Sequence, residues 1–569
     1  MIILGISAFF HDSAAAIINE GEVIAACSEE RFSRIKNDAS FPQNSIIYCL
    51  EMAKINLSDI DLIVFYDKPL LKLDRLIETV FAFAPKGIHF FMKAFPLWAK
   101  EKIFQKILLI DGLKDISPKM TNEELHKKLL FSQHHFSHGA SAFFSSPYKE
   151  SLVITLDGVG EWQTTTIGIG NDNNYEIKEE INFPHSLGLL YSTFTYFCGF
   201  KVNSGEYKLM GLAPYGRARF KDIILKELID VKDDGSFRLN MKYFSYTTSL
   251  QMCGAKLEKL LQVKKRESTE EITQEYKDLA ASIQAVLEEI IEKIVIYATH
   301  KYNQKNVCLA GGVALNSCSN GKLIAKKIVQ SLWVQPAAGD AGSALGAAYI
   351  GYYIYAKKNR LISSNSMKNS YLGPEFTIHH NNIPYPSQEL NLELIVDELT
   401  KGKVIAYFQG KMEFGPRALG NRSILADPRN PQMKDILNHK IKFRESFRPF
   451  APIVLEEYAH EWFEVDNQSA YMTNVFKVRP EKRKLIPAVT HIDGTARVQT
   501  LNKNTHPKLH LLISKFYDKT GCPLLINTSL NIKDEPIVCT PDEALNCFHK
   551  THIDGLILNQ YYLTKEDMK

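Results

Sequence analysis

The sequence contains no Cys-x-x-Cys pair, and its nine cysteines are odd in number and scattered along the chain. It therefore predicts neither a disulfide framework nor a thiolate metal knuckle. No run of five basic residues occurs, and a formal net charge of +4 is too small to indicate a nucleic-acid partner. These absences favour a reducing, cytoplasmic location and leave small anionic substrates open.

A clean apolar run is also missing. The most apolar stretch, residues 79–98, is interrupted by two prolines and two lysines, whereas a membrane-spanning helix needs about 20 apolar residues. We expect a helical insertion there and no membrane span. The first residues lack the basic start of a secretion signal and instead predict a strand, a turn and a second strand.

The length of 569 residues favours two or more domains. A polar stretch rich in Ser, Asn and Lys follows the last apolar helix of the first part, so we predict domains over 1–355 and 374–569 with a linker over 356–373. Alternating strands and helices predict an α/β fold. Residues 152–170 repeat the strand, turn and strand of the N-terminus, which indicates two similar halves in the first domain.

A long helix is predicted near the middle of the chain. Apolar residues recur every three or four positions between 268 and 300. Ser268 and Glu271 have the spacing of a capping box, so the helix is expected to start there.

Two histidines one helical turn apart mark the strongest candidate site. His134 and His138 stand at i and i+4, so a helix presents both imidazoles on one face. Asp157 and Asp340 each follow an apolar, strand-like run. Two imidazoles with carboxylates and no thiolate suit Fe(II), Mn(II) or a catalytic Zn(II), without choosing among them. Ordinary helix histidines are the alternative, which the two strand-end aspartates disfavour.

A glycine pair marks a second candidate feature. An apolar strand runs into Gly311 and Gly312 and then into a predicted helix. Backbone N–H groups at such a helix start can hold a phosphate or a carbonyl oxygen; tight packing is the alternative. Ligands of open α/β sheets bind at the carboxyl ends of strands, where this pair, Asp157 and Asp340 are all expected.

Basic residues of the second domain fall in a few motifs. They are Arg417 and Arg422 in FGPRALGNRS, Lys442, Arg444 and Arg448 in HKIKFRESFRPFAP, and Arg497 in DGTARVQTL. The motif NTSLN adds Asn527 and Ser529 after a predicted strand. Arginine binds phosphate through two parallel hydrogen bonds and lysine supplies a point charge, so these segments predict an anion site. The alternative is that these arginines and lysines lie on a solvated surface, but the segments are too apolar for surface loops.

Taken in order and spacing, ten motifs resemble the antibiotic and nodulation-factor O-carbamoyltransferases, the tobramycin carbamoyltransferase type. The motifs are FHDSAAA, EERFSRIK, HHFSHGASAFF, LDGVGE, KLMGLAPYG, AGGVALN, GDAGSALGAA, GPRALGNRS, FRPFAP and NTSLN. The resemblance spans essentially the whole chain. It implies a first domain of the actin-like ATPase superfamily, a duplicated ribonuclease-H-like fold similar to tRNA threonylcarbamoyl transferase. It implies a second, twisted α/β domain similar to threonylcarbamoyl-adenylate synthase.

The resemblance implies a two-step reaction. The second domain would make carbamoyl-adenylate from carbamoyl phosphate and ATP with Mg²⁺. The first would pass the carbamoyl group to a hydroxyl of a sugar-containing acceptor, in a secondary metabolite, a polysaccharide or a lipo-oligosaccharide. Iron in the first domain would polarise the carbamoyl carbonyl.

The resemblance also implies residue roles. Iron would be held by His134, His138, Asp157 and Asp340; His11 would act as general base on the acceptor hydroxyl, and Lys36 would bind the acceptor. The nucleotide or carbamoyl-adenylate would contact Gly311, Gly312, Asn316, Asp340, Arg417, Lys442, Arg448, Arg497, Asn527 and Ser529. Residues 66–130 carry no motif, the acceptor's identity stays open, and a homodimer is only the commonest default.

Three other functions fit part of the pattern. A sugar kinase of the same superfamily would carry an Asp-x-Gly phosphate turn on the first strand, where this chain reads GISAFFHDSAAA. A tRNA threonylcarbamoylation enzyme would share both domain types and the histidine pair, but it needs a basic RNA-binding face that this near-neutral chain does not predict. A non-enzymatic scaffold has no reason to combine metal ligands with an anion site.

Overall fold

The computed structural model describes residues 1–360, 362–363, 365–380, 383–466 and 468–565. The chain divides into two compact units: unit 1 is Met1–Glu29 with Asn37–Ser366, and unit 2 is Glu30–Lys36 with Met367–Lys569. Leu361 and Ser364, in the predicted linker, lie outside the described residues. Grouping of residues 30–36 with unit 2 interrupts the predicted first domain, and no sequence pattern indicated it.

The first half of unit 1 holds a five-stranded sheet. Its strands are β1 (Ile2–Ser7), β2 (Ala14–Asn19), β3 (Glu22–Ser28), β4 (Leu62–Phe65) and β5 (Leu129–Phe131). They lie in the order β3-β2-β1-β4-β5. The first three are antiparallel neighbours, whereas β4 and β5 run parallel to β1. Nearly every strand residue is buried, as expected from the apolar composition.

The second half repeats this arrangement. Its strands are β6 (Glu150–Leu156), β7 (Gln163–Asn171), β8 (Asn174–Asn182), β11 (Asn306–Ala310) and β12 (Ser331–Val334), with a separate pair of β9 (Ile229–Val231) and β10 (Phe237–Leu239). The order β8-β7-β6-β11-β12 again has two antiparallel pairings followed by two parallel ones. The duplicated ribonuclease-H-like fold and the paired hairpins predicted from the sequence are confirmed.

Helices cover these sheets. Those of unit 1 are α2 (Gln43–Ala53), α3 (Pro69–Phe83), α4 (Ile88–Ile116), α5 (Asn122–Lys128), α6 (His134–Ser145), α7 (Leu187–Phe197), α8 (Glu206–Leu212), α9 (Lys221–Ile223), α10 (Ala255–Leu261), α11 (Gln274–Lys301), α12 (Ser317–Ala325) and α13 (Asp340–Tyr349), whereas α1 (Glu30–Ser33) belongs to unit 2. Helices α3 and α4 confirm the helical insertion. Among the described residues, no helix is long and apolar enough to cross a membrane.

Small residues let α13 approach its neighbours closely. A Cβ atom added at Gly5 of β1 would collide with the carbonyl oxygen of Ala344, and one added at Gly346 would collide with that of Ser137 on α6. This contact fixes the start of α13, and therefore Asp340, against α6.

The predicted long helix exists, but its predicted start is wrong. Helix α11 begins at Gln274 after Thr273 rather than at Ser268. The guanidinium of Arg266 donates to the carbonyl oxygens of Ser268 and Glu270. These bonds hold the segment as a loop, so the capping-box spacing is not used.

Unit 2 is built on an eight-stranded mixed sheet. Its strands are β13 (Gln388–Glu389), β14 (Ile405–Phe408), β15 (Arg422–Ala426), β16 (Ala451–Leu455), β19 (Gln499–Leu501), β20 (Leu524–Ser529), β21 (Gly555–Leu558) and β22 (Tyr561–Thr564), with a separate pair of β17 (Phe476–Lys477) and β18 (Thr495–Ala496). Its helices are α14 (Leu392–Thr400), α15 (Met433–Asp435), α16 (Ala459–Trp462), α17 (Pro507–Thr520) and α18 (Pro541–Lys550). Strand β20 lies between β15 and β16, antiparallel to both.

The segment 30–36 is held in unit 2 by two arginines. Arg31 donates to the carbonyl oxygen of Gly415 at 2.7 Å. Arg34 donates to the carbonyl oxygens of Pro536 and Ile537 at 2.8 and 2.7 Å. These tertiary hydrogen bonds explain why a segment remote in sequence packs there.

Candidate metal centre and anion-binding cluster

The four predicted metal ligands come together in unit 1. His134 and His138 lie on α6, Asp157 directly follows β6, and Asp340 is the first residue of α13. One potential ligand atom from each residue lies within 4.8 Å of the other three. One strand end and two helix starts thus converge on one point, as expected at the carboxyl edges of such sheets.

The ligand atoms face one another. Nε2 of His134 lies 3.1 Å from Nε2 of His138 and 3.1 Å from Oδ2 of Asp157. Nε2 of His138 lies 3.4 Å from Oδ1 of Asp340. Both imidazoles and the Asp340 carboxylate are buried, so bulk water does not occupy this position freely.

The donor set fits a first-row divalent metal ion. It offers two imidazole nitrogens and two carboxylate oxygens without a thiolate, which suits Fe(II), Mn(II) or Zn(II). Burial disfavours the charged form of His134, but the carboxylates of Asp340 and Asp157 outweigh burial and raise the pKa of its imidazole. Conversely, the histidines hold the pKa of Asp157 and that of Asp340 well below the usual range, although burial opposes this. The buried carboxylate of Asp340 and the half-buried one of Asp157 need positive charge beside them, and a divalent ion supplies it.

Further contacts orient the ligands. The hydroxyl of Ser343 lies 3.0 Å from Nδ1 of His138, and the hydroxyl of Tyr66 donates to Asp340 at 3.3 Å. The buried Glu161 carboxylate accepts the backbone N–H of His134 at 3.0 Å. Sequence reasoning missed these residues. Their positions in the sequence could have indicated them, because Ser343 comes one helical turn after Asp340 and Tyr66 directly follows strand β4.

His11, the predicted general base, lies beside this group. Its Nε2 is 3.9 Å from Oδ2 of Asp340, and its Nδ1 is 3.3 Å from Oδ2 of Asp12. Burial lowers the pKa of His11, but the carboxylates of Asp340, Asp12 and Asp157 outweigh burial and raise it to about 9. The structure therefore brings His11 together with the metal-ligand group.

The glycine pair has a positioning role in this structure. The N–H of Gly311, whose φ is +90°, donates to the carbonyl oxygen of Ala338 at 2.8 Å. The N–H of Gly312 donates to Oδ1 of Asp157 at 2.8 Å. Asn316 caps α12 and exchanges amide hydrogen bonds with Gln284. All three groups are engaged with protein atoms here, and their nucleotide contacts stay a prediction.

In unit 2, the buried Lys442 lies among half-buried and exposed cationic residues. Its ammonium donates to Oδ1 of Asn531 at 2.9 Å and to the carbonyl and hydroxyl oxygens of Ser529. Burial holds the pKa of Lys442 well below its ordinary value. The nearby charges of Arg444, Arg448 and Lys36 lower it further. A bound anion would offset this repulsion.

Arg417 and Arg497 form a second cationic pair. Burial and the neighbouring guanidinium of Arg497 lower the pKa of Arg417 to about 9. Arg422, by contrast, is fully buried and donates to the carbonyl oxygens of Gln409 and Pro374. Because its guanidinium binds backbone carbonyl oxygens inside the core, Arg422 does not belong to an anion site.

Asn527 and Ser529 lie within strand β20, not after a strand as predicted. The side-chain amide of Asn527 donates to Oε1 of Gln499 at 2.7 Å. Its Oδ1 atom is buried and accepts no hydrogen bond from any residue that the structure describes. This oxygen is available to a ligand donor such as an amino group.

Lys36 groups with unit 2. Its charge is close enough to Lys442 to lower the pKa of that ammonium. The structure thus places Lys36 with the predicted anion-binding residues, a relation that the sequence did not indicate.

Comparison with known proteins covers both units. The family model of the carbamoyltransferase N-terminus matches residues 2–349, and that of the carbamoyltransferase C-terminus matches residues 396–565. A relative from Synechocystis sp., "Uncharacterized protein sll1178", is 46% identical over 99% of this chain and 96% of its own. "Nodulation protein NolNO" from Sinorhizobium fredii is 38% identical over 98% of this chain and 79% of its own. The solved structure of T. kodakarensis HypF covers 64% of this chain and 48% of its own at 13% identity and a TM-score of 0.31, which is too low to support an argument.

Proposed function

Because the chain belongs to the carbamoyltransferase family, we propose that it is an ATP-dependent O-carbamoyltransferase that makes a carbamoyl-adenylate before transfer. In unit 2, water would cleave carbamoyl phosphate to carbamate and inorganic phosphate, and a carbamate oxygen would then attack the α-phosphate of ATP and displace pyrophosphate. The carbamoyl group would then pass to a hydroxyl of a sugar-containing acceptor, with AMP as the leaving group. The observation that carries the first step is the buried ammonium of Lys442 with the cations Arg444, Arg448 and Lys36 beside it.

Both substrates of the first step are anionic. Lys442 is buried beside other cations, and burial of an ammonium next to like charges costs free energy unless an anion offsets it. Lys442, Arg448 and Arg417 would hold phosphate oxygens, with Arg497 beside Arg417. The buried Oδ1 of Asn527 would accept a hydrogen bond from an amino group, either of the base or of the carbamoyl group.

We also revise the role of Lys36. The resemblance implied an acceptor contact, but its effect on Lys442 supports a phosphate contact. Arg31 and Arg34 fasten its segment to unit 2 and so position Lys36 for that task.

The transfer step would use the metal-ligand group of unit 1. A divalent ion, Fe(II) by resemblance, held by His134, His138, Asp157 and Asp340 would withdraw charge from the carbamoyl carbonyl oxygen. His11 would accept the proton of the acceptor hydroxyl. It can act as a base at neutral pH only when positive charge offsets the carboxylates that raise its pKa to about 9.

The experiment that tests the first step needs no acceptor. The full chain is mixed with ATP, Mg²⁺ and carbamoyl phosphate, and pyrophosphate and carbamoyl-adenylate are measured by enzyme-coupled assay and mass spectrometry. We expect pyrophosphate only when carbamoyl phosphate is present, and loss of it in Lys442→Ala but not in Lys519→Ala, which changes an exposed lysine paired with Asp397. Formation of ADP instead of pyrophosphate would overturn the proposal.

A further inference from the structure

His11 lies on the turn between β1 and β2, which we call the His11 turn and define as residues 8–13. Its backbone is strained. Phe9 has a φ of +67° and Asp12 a φ of +53°, in the left-handed region that a bulky residue such as phenylalanine rarely adopts. Strain of this kind persists only where the surrounding structure holds it, and it clusters at functional sites. Two strained residues on either side of His11 therefore indicate a functional constraint on this turn.

A nearby segment, residues 37–40, holds both sides of the His11 turn. The backbone N–H of Phe9 donates to the carbonyl oxygen of Ala39 at 2.8 Å. On the other side, the backbone N–H of Ser13 donates to the carbonyl oxygen of Asp38, also at 2.8 Å. These hydrogen bonds explain why the strained backbone persists, and they limit the positions that the side chains between them can take.

Asp12 connects this segment to the imidazole of His11. Its Oδ1 accepts a hydrogen bond from the side-chain amide of Asn37 at 2.6 Å, and its Oδ2 lies 3.3 Å from Nδ1 of His11. Each carboxylate oxygen thus has a partner of its own, which fixes the plane of the carboxylate. The ring of Phe10 packs beside the imidazole, with the two ring centroids 4.6 Å apart. The imidazole is therefore held by both Asp12 and Phe10.

The two carboxylates near His11 are not equivalent. Oδ2 of Asp12 is within hydrogen-bonding distance of Nδ1, whereas Oδ2 of Asp340 lies 3.9 Å from Nε2. Asp340 also belongs to the proposed metal ligands, so a bound cation would draw its oxygens away from the ring. Only one nitrogen of a neutral imidazole carries a hydrogen, and the hydrogen bonds of the ring decide which one. The geometry favours the hydrogen on Nδ1 and leaves the lone pair of Nε2 on the side of the metal-ligand group.

We propose that Asp12, held by Asn37, is a positioning residue that keeps the imidazole proton of His11 on Nδ1 and so leaves Nε2 free to act as the base. This inference rests on the proposed carbamoyl transfer. In that step the acceptor hydroxyl gives its proton to Nε2 while its oxygen bonds to the carbamoyl carbon, and the bond from that carbon to the phosphate oxygen of AMP breaks. Asp12 stabilises the resulting imidazolium without taking up the proton.

The exchange Asp12→Asn tests this role. Asparagine tolerates the left-handed backbone as aspartate does, but its amide donates to Nδ1 and moves the ring proton to Nε2. We expect the kcat of transfer to fall by about 100- to 10,000-fold with little change in the KM for the acceptor. Asp12→Glu should restore part of kcat, and Asn37→Gly should lower kcat less than Asp12→Asn does. Asp172→Asn, the same exchange at a φ of +55° between β7 and β8, should leave kcat unchanged.

The position of the proton can be measured without an acceptor. Protein labelled with ¹⁵N-histidine and loaded with Zn²⁺ is studied by NMR at a pH where the His11 ring is neutral, and His11→Gln identifies the signals of this ring. We expect the hydrogen on Nδ1 in wild type and on Nε2 in Asp12→Asn. The same tautomer in both proteins would overturn the proposal, as would a raised KM for the acceptor with unchanged kcat. Absence of transfer by wild type would contradict the proposed function alone, because the NMR comparison decides separately whether Asp12 sets the tautomer.

Discussion

The ring nitrogens Nε2 of His134 and His138 face each other at 3.1 Å, one helical turn apart on α6. Both also approach carboxylate oxygens of Asp157 and Asp340. Two imidazoles in this relation either share a proton or direct two lone pairs at one cation. The surrounding carboxylates favour the cation.

Removal of one imidazole should release the metal. In His138→Ala we expect bound iron, manganese or zinc to fall to trace amounts because only one imidazole and two carboxylates remain as ligands. Metal content measured by inductively coupled plasma mass spectrometry, with circular dichroism to confirm folding, checks this. Equal metal content in wild type and variant would refute the site.

A subtler change tests the orientation of His138. Ser343→Ala removes the hydroxyl that lies 3.0 Å from Nδ1. Loss of such an outer contact typically weakens metal affinity by about 10–100-fold. Competition with a chelator measures the affinity, and Ser343→Thr should restore part of it. An unchanged affinity in Ser343→Ala would mean that the hydroxyl does not orient the ring.

Lys36 offers a test of which substrate it contacts. We expect Lys36→Ala to raise the KM for ATP or carbamoyl phosphate by about 10-fold, as for a lost charged hydrogen bond. The KM for the acceptor should stay close to that of wild type. Steady-state kinetics with each substrate varied in turn measures this, and the opposite pattern would support the acceptor contact that the resemblance implied.

The stability of unit 2 should fall at mildly acidic pH. Burial lowers the pKa of His506 to about 4, whereas the unfolded value is about 6.5. The unfolded state therefore binds the proton first, and stability is lost as pH falls from 6.5 towards 4. From pH 8 to pH 5 this amounts to about 2 kcal/mol. Urea unfolding of wild type and His506→Gln at both pH values measures it; an equal pH dependence in the two proteins would contradict the assignment.

Local patterns were sufficient to predict much of the first unit. The i and i+4 spacing of His134 and His138 and the position of Asp157 after an apolar run are local properties, and they hold in the structure. The repeated strand, turn and strand likewise marked the duplicated sheets. Such features can be predicted from the spacing of apolar and polar residues because one face of each helix or strand is buried.

Features that depend on tertiary contacts were not predictable. The segment with Arg31, Arg34 and Lys36 joins unit 2 through hydrogen bonds to residues some 380 to 500 positions away. Asn531, which accepts from Lys442, stands only two residues beyond the recognised Ser529. Arg422 looked like its neighbour Arg417 in sequence, and only its carbonyl partners show that it is structural.

If the two steps are carried out by different units of one chain, a substitution in one unit should separate them. Pyrophosphate release from ATP and carbamoyl phosphate is compared in wild type, His134→Ala and Arg448→Ala, beside carbamoyl transfer to an accepted hydroxyl compound. We predict that His134→Ala releases pyrophosphate normally but transfers nothing, whereas Arg448→Ala loses both activities. Equal loss of both activities in both variants, with both proteins folded, would contradict the account.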